Sequence, residues 1–223
     1  MKKSNVISPS DVQAVNFREI HVGNIAPKTL YRSSHPIKAQ KQEKVISLLA
    51  DGIRIAAVIN LSDTDPELST KALFAPWYQK LYANGQIIAL GMDFSFTGER
   101  FNRKLKKALQ FINNTQGPWL IHCHAGVDRT GFVSMVLEAF MGATVDEIEN
   151  DYLLSFNSIF DSSMQTGTNR EDSVVIMQFL SVMGNYIAPN DQNLQAIAEN
   201  YLRNTIKLSI EEVELLKKKL AGV

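Results

Sequence analysis

The sequence predicts an α/β protein: a mostly parallel sheet of four to five strands flanked by helices, finished by a helical C-terminal part. Three observations predict it. Short apolar runs rich in β-branched residues alternate with helical stripes through the first two thirds of the chain. Beyond that point only helical stripes follow one another. Between the two regimes, Trp119-Leu120-Ile121 leads through a short loop into a helix that is apolar almost all round. That is the pattern of a central strand followed by a fully buried helix.

The elements follow in order. Residues 1–29 are mixed and polar and read as a lead-in with one short strand. Leu30-Tyr31-Arg32 reads as a strand. Val45, Ile46, Leu48 and Leu49 form a helical stripe over 40–50, with Gly52 as its stop. Ile53 to Leu61 suits a strand buried on both faces. Asp65-Pro66 reads as an N-cap with proline at the first helical position, opening a helix to about Tyr82. Gln86 to Leu90 reads as another buried strand. Phe101, Leu105, Ala108, Leu109 and Ile112 then lie on one face of a helix. Its outer face carries Arg100, Arg103, Lys104, Lys106 and Lys107, a solvated face first and an anion-steering patch second. The all-round apolar helix starts near Thr130 and stops at Gly142. Thr144 with Glu147, and Ser209 with Glu212, are capping boxes that open later helices. Leu194, Ile197, Ala198, Tyr201 and Leu202 form one more stripe, and the polar stretch from Ser162 to Ser173 reads as a flexible loop. The division is a lead-in at 1–29, a catalytic core at 30–160, and a helical extension of the same domain at 161–223.

Composition narrows the function. The chain has 223 residues, 45% of them apolar, enough for a full core in one domain. Lys+Arg and Asp+Glu both number 23, and zero net charge argues against a dedicated nucleic-acid binder. A single cysteine, Cys123, excludes an internal disulfide framework, a CxxC redox pair and a cysteine-rich zinc site. Met1 to Asn5 is basic but leads into no signal-peptide apolar run, and no stretch of 18 apolar residues suggests an integral membrane segment. The expectation is a soluble protein of a reducing compartment, the cytoplasm, with export lacking a signal peptide and the oligomeric state left open.

One segment carries chemistry: His122-Cys123-His124-Ala125-Gly126-Val127-Asp128-Arg129-Thr130-Gly131. It lies at the junction of strand, loop and buried helix. A loop that closes there directs backbone N–H groups inward, and the helix adds its positive end. Arg129 can fork onto two oxygens of one phosphate. The same field stabilises a thiolate at Cys123, the form in which cysteine is nucleophilic. Gly126 permits close backbone approach.

His-Cys-x5-Arg-Thr-Gly is the signature of the cysteine-dependent protein tyrosine phosphatase superfamily, and the chain resembles it. Tyr31-Arg32-Ser33-Ser34 is similar to an early "YRS" segment, and Val58-Ile59-Asn60-Leu61 to a "viDLR" strand. Asp128-Arg129-Thr130-Gly131 with Asp151-Tyr152-Leu153-Leu154-Ser155 is similar to "DRTG…DYLLS". The resemblance covers about residues 30–160. It points to the atypical bacterial and fungal branch of tyrosine or dual-specificity phosphatases. Three departures stand out: Val127 where that branch often has lysine, Asn60-Leu61-Ser62 in place of "DLR", and no "WPD" tripeptide.

The resemblance implies a phosphomonoesterase without metal or other cofactor, acting on a phosphorylated protein. Phosphotyrosine is the first substrate, with dual specificity open. A phosphoinositide or inositol phosphate is the neighbouring alternative, which Val127 weakens. A catalytically silent phosphate-binding module is a further alternative, and arsenate reduction lacks its redox cysteines. Cys123 would attack phosphorus, Arg129 would bind the equatorial oxygens, and Thr130 would assist the departing thiolate. His124, Ala125, Gly126, Val127 and Gly131 would line the phosphate cradle, with His122 supporting it. A lone cysteine is ordinarily a small core hydrophobe, and the loop context is what argues otherwise here. For the proton donor, Asp93 is preferred, because it follows the strand before the helix leading to Trp119, the place where the resembled superfamily keeps its mobile acid loop. Asp128, inside the cradle, comes second, and Asp63 and Asp65 trail as N-cap or loop residues.

Overall fold

The computed structural model describes residues 7–71, 75–159, 170–185 and 187–223. These residues form one sheet of five strands: β1 (Arg18–Ile20), β2 (Leu30–Ser33), β3 (Ala57–Asn60), β4 (Ile87–Ala89) and β5 (Trp119–His122). The spatial order is β1-β2-β5-β3-β4, with only β1 antiparallel. The register pairs Ser33 and Asn60 with His122 from either side. Three parallel strands therefore end together at the start of the Cys123 loop, and side chains leaving those ends converge there.

Alternation along the strands sorts residues between two layers. Leu30, Ile59, Trp119 and Ile121 belong to the larger apolar cluster, whereas Tyr31, Val58 and Leu120 belong to the smaller one on the other face. The smaller cluster is covered by α2 (Gln40–Ile53) and α4 (Pro76–Ala83). The larger is built by α5 (Glu99–Asn114), α6 (Asp128–Phe140), α7 (Val145–Ile159), α8 (Arg170–Gly184), α9 (Leu194–Asn200) and α10 (Ile210–Leu220). Every residue of α6 from Arg129 to Phe140 is buried, as its apolar circumference predicts. Burying each large aliphatic side chain there contributes about 1.5–3 kcal/mol. The cradle is thus attached to a helix that is buried from Arg129 to Phe140. Both capping boxes form: Thr144 with Glu147, and Ser209 with Glu212.

Several boundaries differ from the expectation. The lead-in contains a helix, α1 (Pro9–Ala14), besides its strand. α2 continues through Gly52 to Ile53, because Ile46, Ala50 and Ile53 stay on one face and one helical glycine costs only about 1 kcal/mol. The chain reverses instead at Arg54, which is left-handed (φ 63°), so the strand begins only at Ala57. The helix expected from Asp65 to Tyr82 is two helices, α3 (Asp65–Lys71) and α4. Pro76 cannot donate within a helix and instead takes the first turn of α4. Of the stretch from Ser162 to Ser173, residues up to 169 lie outside the described residues, and Arg170 opens α8.

Candidate active site

Residues 122–131 run from the end of β5 into the first turn of α6. The Gly126 N–H donates to Cys123 Sγ at 3.3 Å, so the loop curls back over the sulfur. Gly126 has φ +79°, and a Cβ there would lie 2.4 Å from the Ser33 carbonyl oxygen, so no other residue fits. At Gly131 a Cβ would lie 2.7 Å from the Tyr152 ring, which lets α6 pack tightly onto α7. Asp128 is exposed in the first turn of α6, a favourable end for a carboxylate.

Arg129 is buried, with Nη1 donating to the Met92 carbonyl at 2.9 Å and the guanidinium 4.6 Å from the centre of the Phe94 ring. Its Nε and the Thr130 hydroxyl are buried with no acceptor or donor among the described residues. Val127 is buried at the N-terminus of α6, and Ala125 packs half-buried against the large cluster. His124 is exposed with Lys38 Nζ against its Nε2. Desolvation, then the Lys38 ammonium, keeps His124 below its ordinary pKa.

Asp93 stands in the loop after β4, between the two residues that touch Arg129. Its side chain is 42% exposed, accepts the Ser95 N–H at 3.0 Å and lies 4.0 Å from Arg100 Nε. Asp65 is on α3 and accepts from the Tyr82 hydroxyl at 3.1 Å. Lys104 donates to the Gly91 carbonyl in the Asp93 loop, whereas Lys106 donates to the Lys207 carbonyl, in the C-terminal layer.

Beneath the loop lies His122, the expected support, with partners that the sequence does not mark. His122 is fully buried, and that burial, with His35 nearby, pushes its pKa well below the ordinary value. The ring is therefore neutral. Its Nδ1 faces the Cys123 carbonyl at 3.2 Å, which can only accept, so Nδ1 carries the hydrogen. Nε2 then accepts from the Tyr78 hydroxyl at 2.8 Å, and Tyr78 accepts from Asn60 Nδ2 at 3.2 Å. Burial raises the Tyr78 pKa and keeps that donor protonated. A chain of hydrogen bonds from β3 through α4 thus ends on the Cys123 carbonyl.

A second anchor is His35. Its N–H donates to the His124 carbonyl at 3.0 Å, and its Nε2 meets Asp63 Oδ2 at 2.7 Å. Burial alone would raise the Asp63 pKa, but donors on His35, Lys71 and Asn60 outweigh it and hold the carboxyl far below its ordinary 3.8. Such a group stabilises the fold fully above the ordinary value, and the contribution disappears as pH falls through the folded value. Asp63→Asn is therefore expected to lower the urea midpoint at pH 7, by a margin that narrows below pH 3.8. Urea melts from pH 7 to pH 2 check this; a constant margin would exclude charge as the cause.

A third anchor lies on the other side. Asp151 accepts from Arg18 Nε at 2.8 Å and from Arg32 Nη1, and Arg18 Nη2 reaches Ser155 Oγ at 2.7 Å. Glu138 lies beside them, fully buried; burial first, then the Asp151 charge, raises its pKa and keeps it neutral. The "YRS" and "DYLLS" segments marked Arg32 and Asp151 in the sequence, but nothing marked Arg18 or Glu138.

A loop curled over a buried cysteine at the converging ends of parallel strands, beside an arginine whose buried Nε has no acceptor among the described residues, is the candidate site of this α/β fold. The chain belongs to the tyrosine phosphatase family, whose family model matches residues 12–222. The match takes in most of the lead-in and the C-terminal helices, beyond the 30–160 covered by the motifs. A "Putative tyrosine-protein phosphatase" of Cupriavidus necator is 31% identical over 116 residues, covering 46% of this chain and 41% of that protein. The chain thus spans about two fifths of that relative. Among solved structures, the core catalytic domain of the PP-IP phosphatase SIW14 from S. cerevisiae is 22% identical, with a TM-score of 0.45, over 84% of this chain and 94% of that one. P. aeruginosa TpbA is 16% identical, also with a TM-score of 0.45, over 87% and 95%. Among the described residues no helix is long and apolar enough to cross a membrane.

Proposed function

We propose that the chain is a protein-tyrosine or dual-specificity phosphatase that works through a phosphocysteine intermediate and needs no metal. The observation that carries this is the loop closed over Cys123 Sγ by the Gly126 N–H at the mouth of α6. A phosphomonoester dianion suits the inward N–H groups, the helix end and Arg129. Cys123 as thiolate attacks phosphorus, the P–S bond forms, and the P–O bond to the leaving group breaks. Water then attacks phosphorus, the P–S bond breaks, and inorganic phosphate leaves. Thr130, whose buried hydroxyl has no partner among the described residues, donates to the sulfur as the intermediate breaks down. His122 holds the loop through the Cys123 carbonyl.

The leaving oxygen takes its proton from Asp93 in this reading, because Met92 and Phe94 on either side both touch Arg129. Asp128 is the alternative, one residue from Arg129. The residue that acts as acid is expected to lose about 10²–10³-fold on phosphotyrosine peptide when changed to asparagine. The loss is far smaller on p-nitrophenyl phosphate, whose leaving group needs no proton. Steady-state rates of Asp93→Asn and Asp128→Asn on both substrates check this, and neither variant showing that dependence would remove both residues as the acid.

A second reading, an inositol phosphate or phosphoinositide substrate, is favoured by one observation: Lys38 and His124 meet at the rim beside the cradle. Phosphate release from phosphotyrosine, phosphoserine and phosphothreonine peptides, phosphoinositides and soluble inositol phosphates, with Cys123→Ser beside wild type, tests both. Cys123-dependent release confined to phosphopeptides supports the first reading. Release dominated by inositol phosphates replaces it with the second, and phosphate binding without any release leaves a silent binding module.

A further inference from the structure

The Gly126 carbonyl is gripped from outside the cradle by two buried donors from distant parts of the chain. Asn16 Nδ2 donates to it at 3.1 Å and Arg32 Nη2 at 2.9 Å. Both grips are themselves fixed. Arg18 Nη1 donates to Asn16 Oδ1, and Arg32 Nη1 donates to Asp151, which Arg18 also holds. Asn16 adopts φ +51°, a left-handed conformation that aims its amide inward from the turn before β1. Two buried side chains thus converge on one backbone oxygen, and two more, Arg18 and Asp151, hold them there. For core packing alone this is an expensive arrangement, since burying two guanidinium groups requires pairing each of them.

Peptide geometry supplies the reason. Across a planar trans peptide the carbonyl and the next N–H point in opposite directions. Pulling the Gly126 oxygen outward rotates the Val127 N–H to the opposite side. The preceding N–H, that of Gly126, already lies on Cys123 Sγ. We propose that Asn16 and Arg32 are positioning residues that turn the Val127 N–H toward the bound phosphate, with Arg18 and Asp151 locking them in place. Among the described residues both guanidinium groups pair with Asp151, while burial raises the pKa of the neighbouring Glu138. This inference rests on the proposed phosphatase reading and deepens it, adding residues that never touch substrate.

The test uses Asn16→Gly and Arg32→Lys in the full chain. Glycine tolerates the Asn16 backbone conformation and removes the grip without adding charge. Lysine keeps the Arg32 charge but loses the planar fork that reaches Asp151 and Gly126 at once. The readouts are kcat and KM on phosphotyrosine peptide and the inhibition constants of inorganic phosphate and orthovanadate. A merely destabilised protein has fewer active molecules, which lowers kcat and leaves inhibition constants alone. Loss of a directed N–H weakens anion binding itself. Each variant is expected to raise the inhibition constant for phosphate about tenfold, the low end for a hydrogen bond to a charged group. The constant for vanadate, the closer mimic of the transition state, rises further. The double variant falls short of the product of the singles, because both act on one carbonyl. Unchanged inhibition constants in folded variants overturn the proposal. If Arg32→Lys does not fold, Asn16→Gly decides alone. Wild type that neither binds phosphate nor hydrolyses phosphomonoesters overturns the phosphatase reading and this inference with it. Active wild type with insensitive variants overturns only this inference.

Discussion

Cys123→Ser is expected to reduce turnover of phosphotyrosine peptide by at least about 10⁴-fold, the scale of removing a catalytic nucleophile. Sulfur as thiolate is nucleophilic near neutral pH; a serine hydroxyl in the same place has no base positioned to activate it. His122 cannot serve, because its Nε2 is occupied by the Tyr78 hydroxyl and its Nδ1 faces the Cys123 carbonyl. Oxygen is close enough to sulfur in size to leave the loop folded. The Gly126 turn, the α6 N-terminus and Arg129 all remain. Inorganic phosphate should therefore bind the variant within a few-fold of wild type. Rapid quench of wild type followed by mass spectrometry should place a phosphoryl group on the peptide containing Cys123, and none on the serine variant. Sustained turnover in the serine variant would remove the covalent route altogether.

The cradle was legible because its chemistry is contiguous. Ten residues, from the end of β5 into the first turn of α6, carry the sulfur, the arginine and both glycines, so strand-loop-helix order suffices to assemble them. The parallel strands are legible from their apolar runs, though the run starting at Ile53 overstates β3, since Ile53 closes α2. The contacts that hold the cradle are not legible even where the resemblance marks a segment, as it does for Arg32 and Asp151, because they arrive from elsewhere in the chain. Tyr78 reaches His122 across 44 positions, Arg32 reaches Gly126 across 94, and Asn16 reaches it across 110. A tyrosine on an amphipathic helix and an asparagine before a short strand have no local signature of such roles. The parallel register creates them, by bringing Ser33, Asn60 and His122 side by side. One local signal does exist: Pro76, in the first turn of α4, separates α4 from α3. That break matters, because it sets α4 so that Tyr78 lies under His122.

Arg129→Lys is expected to lower kcat about 10³-fold while raising the inhibition constant of inorganic phosphate only about tenfold. The split follows from where charge sits. In the ground state the dianion is shared among loop N–H groups, the helix end and the guanidinium, so one ammonium recovers part of the attraction. In the transition state charge spreads over three equatorial oxygens, and a planar fork matches two of them at fixed spacing where a point charge cannot. Loss of a preorganised donor at such a site costs about 10²–10³ in kcat. Arg129 is suited to the task by what surrounds it. Met92 takes only Nη1, Phe94 supports the flat face, and the buried Nε has no acceptor among the described residues. An unpaired buried donor is costly unless something arrives to accept from it, and a phosphate oxygen would do so. Lysine in its place has no donor at that position and cannot rest its plane on Phe94. The Met92–Phe94 loop, which carries Asp93, then loses its tether to α6. If Asp93 is the acid, the Arg129→Lys defect should accordingly be deeper on phosphotyrosine than on p-nitrophenyl phosphate. A variant that retains kcat within fivefold of wild type would place the transition-state charge elsewhere than beside Arg129.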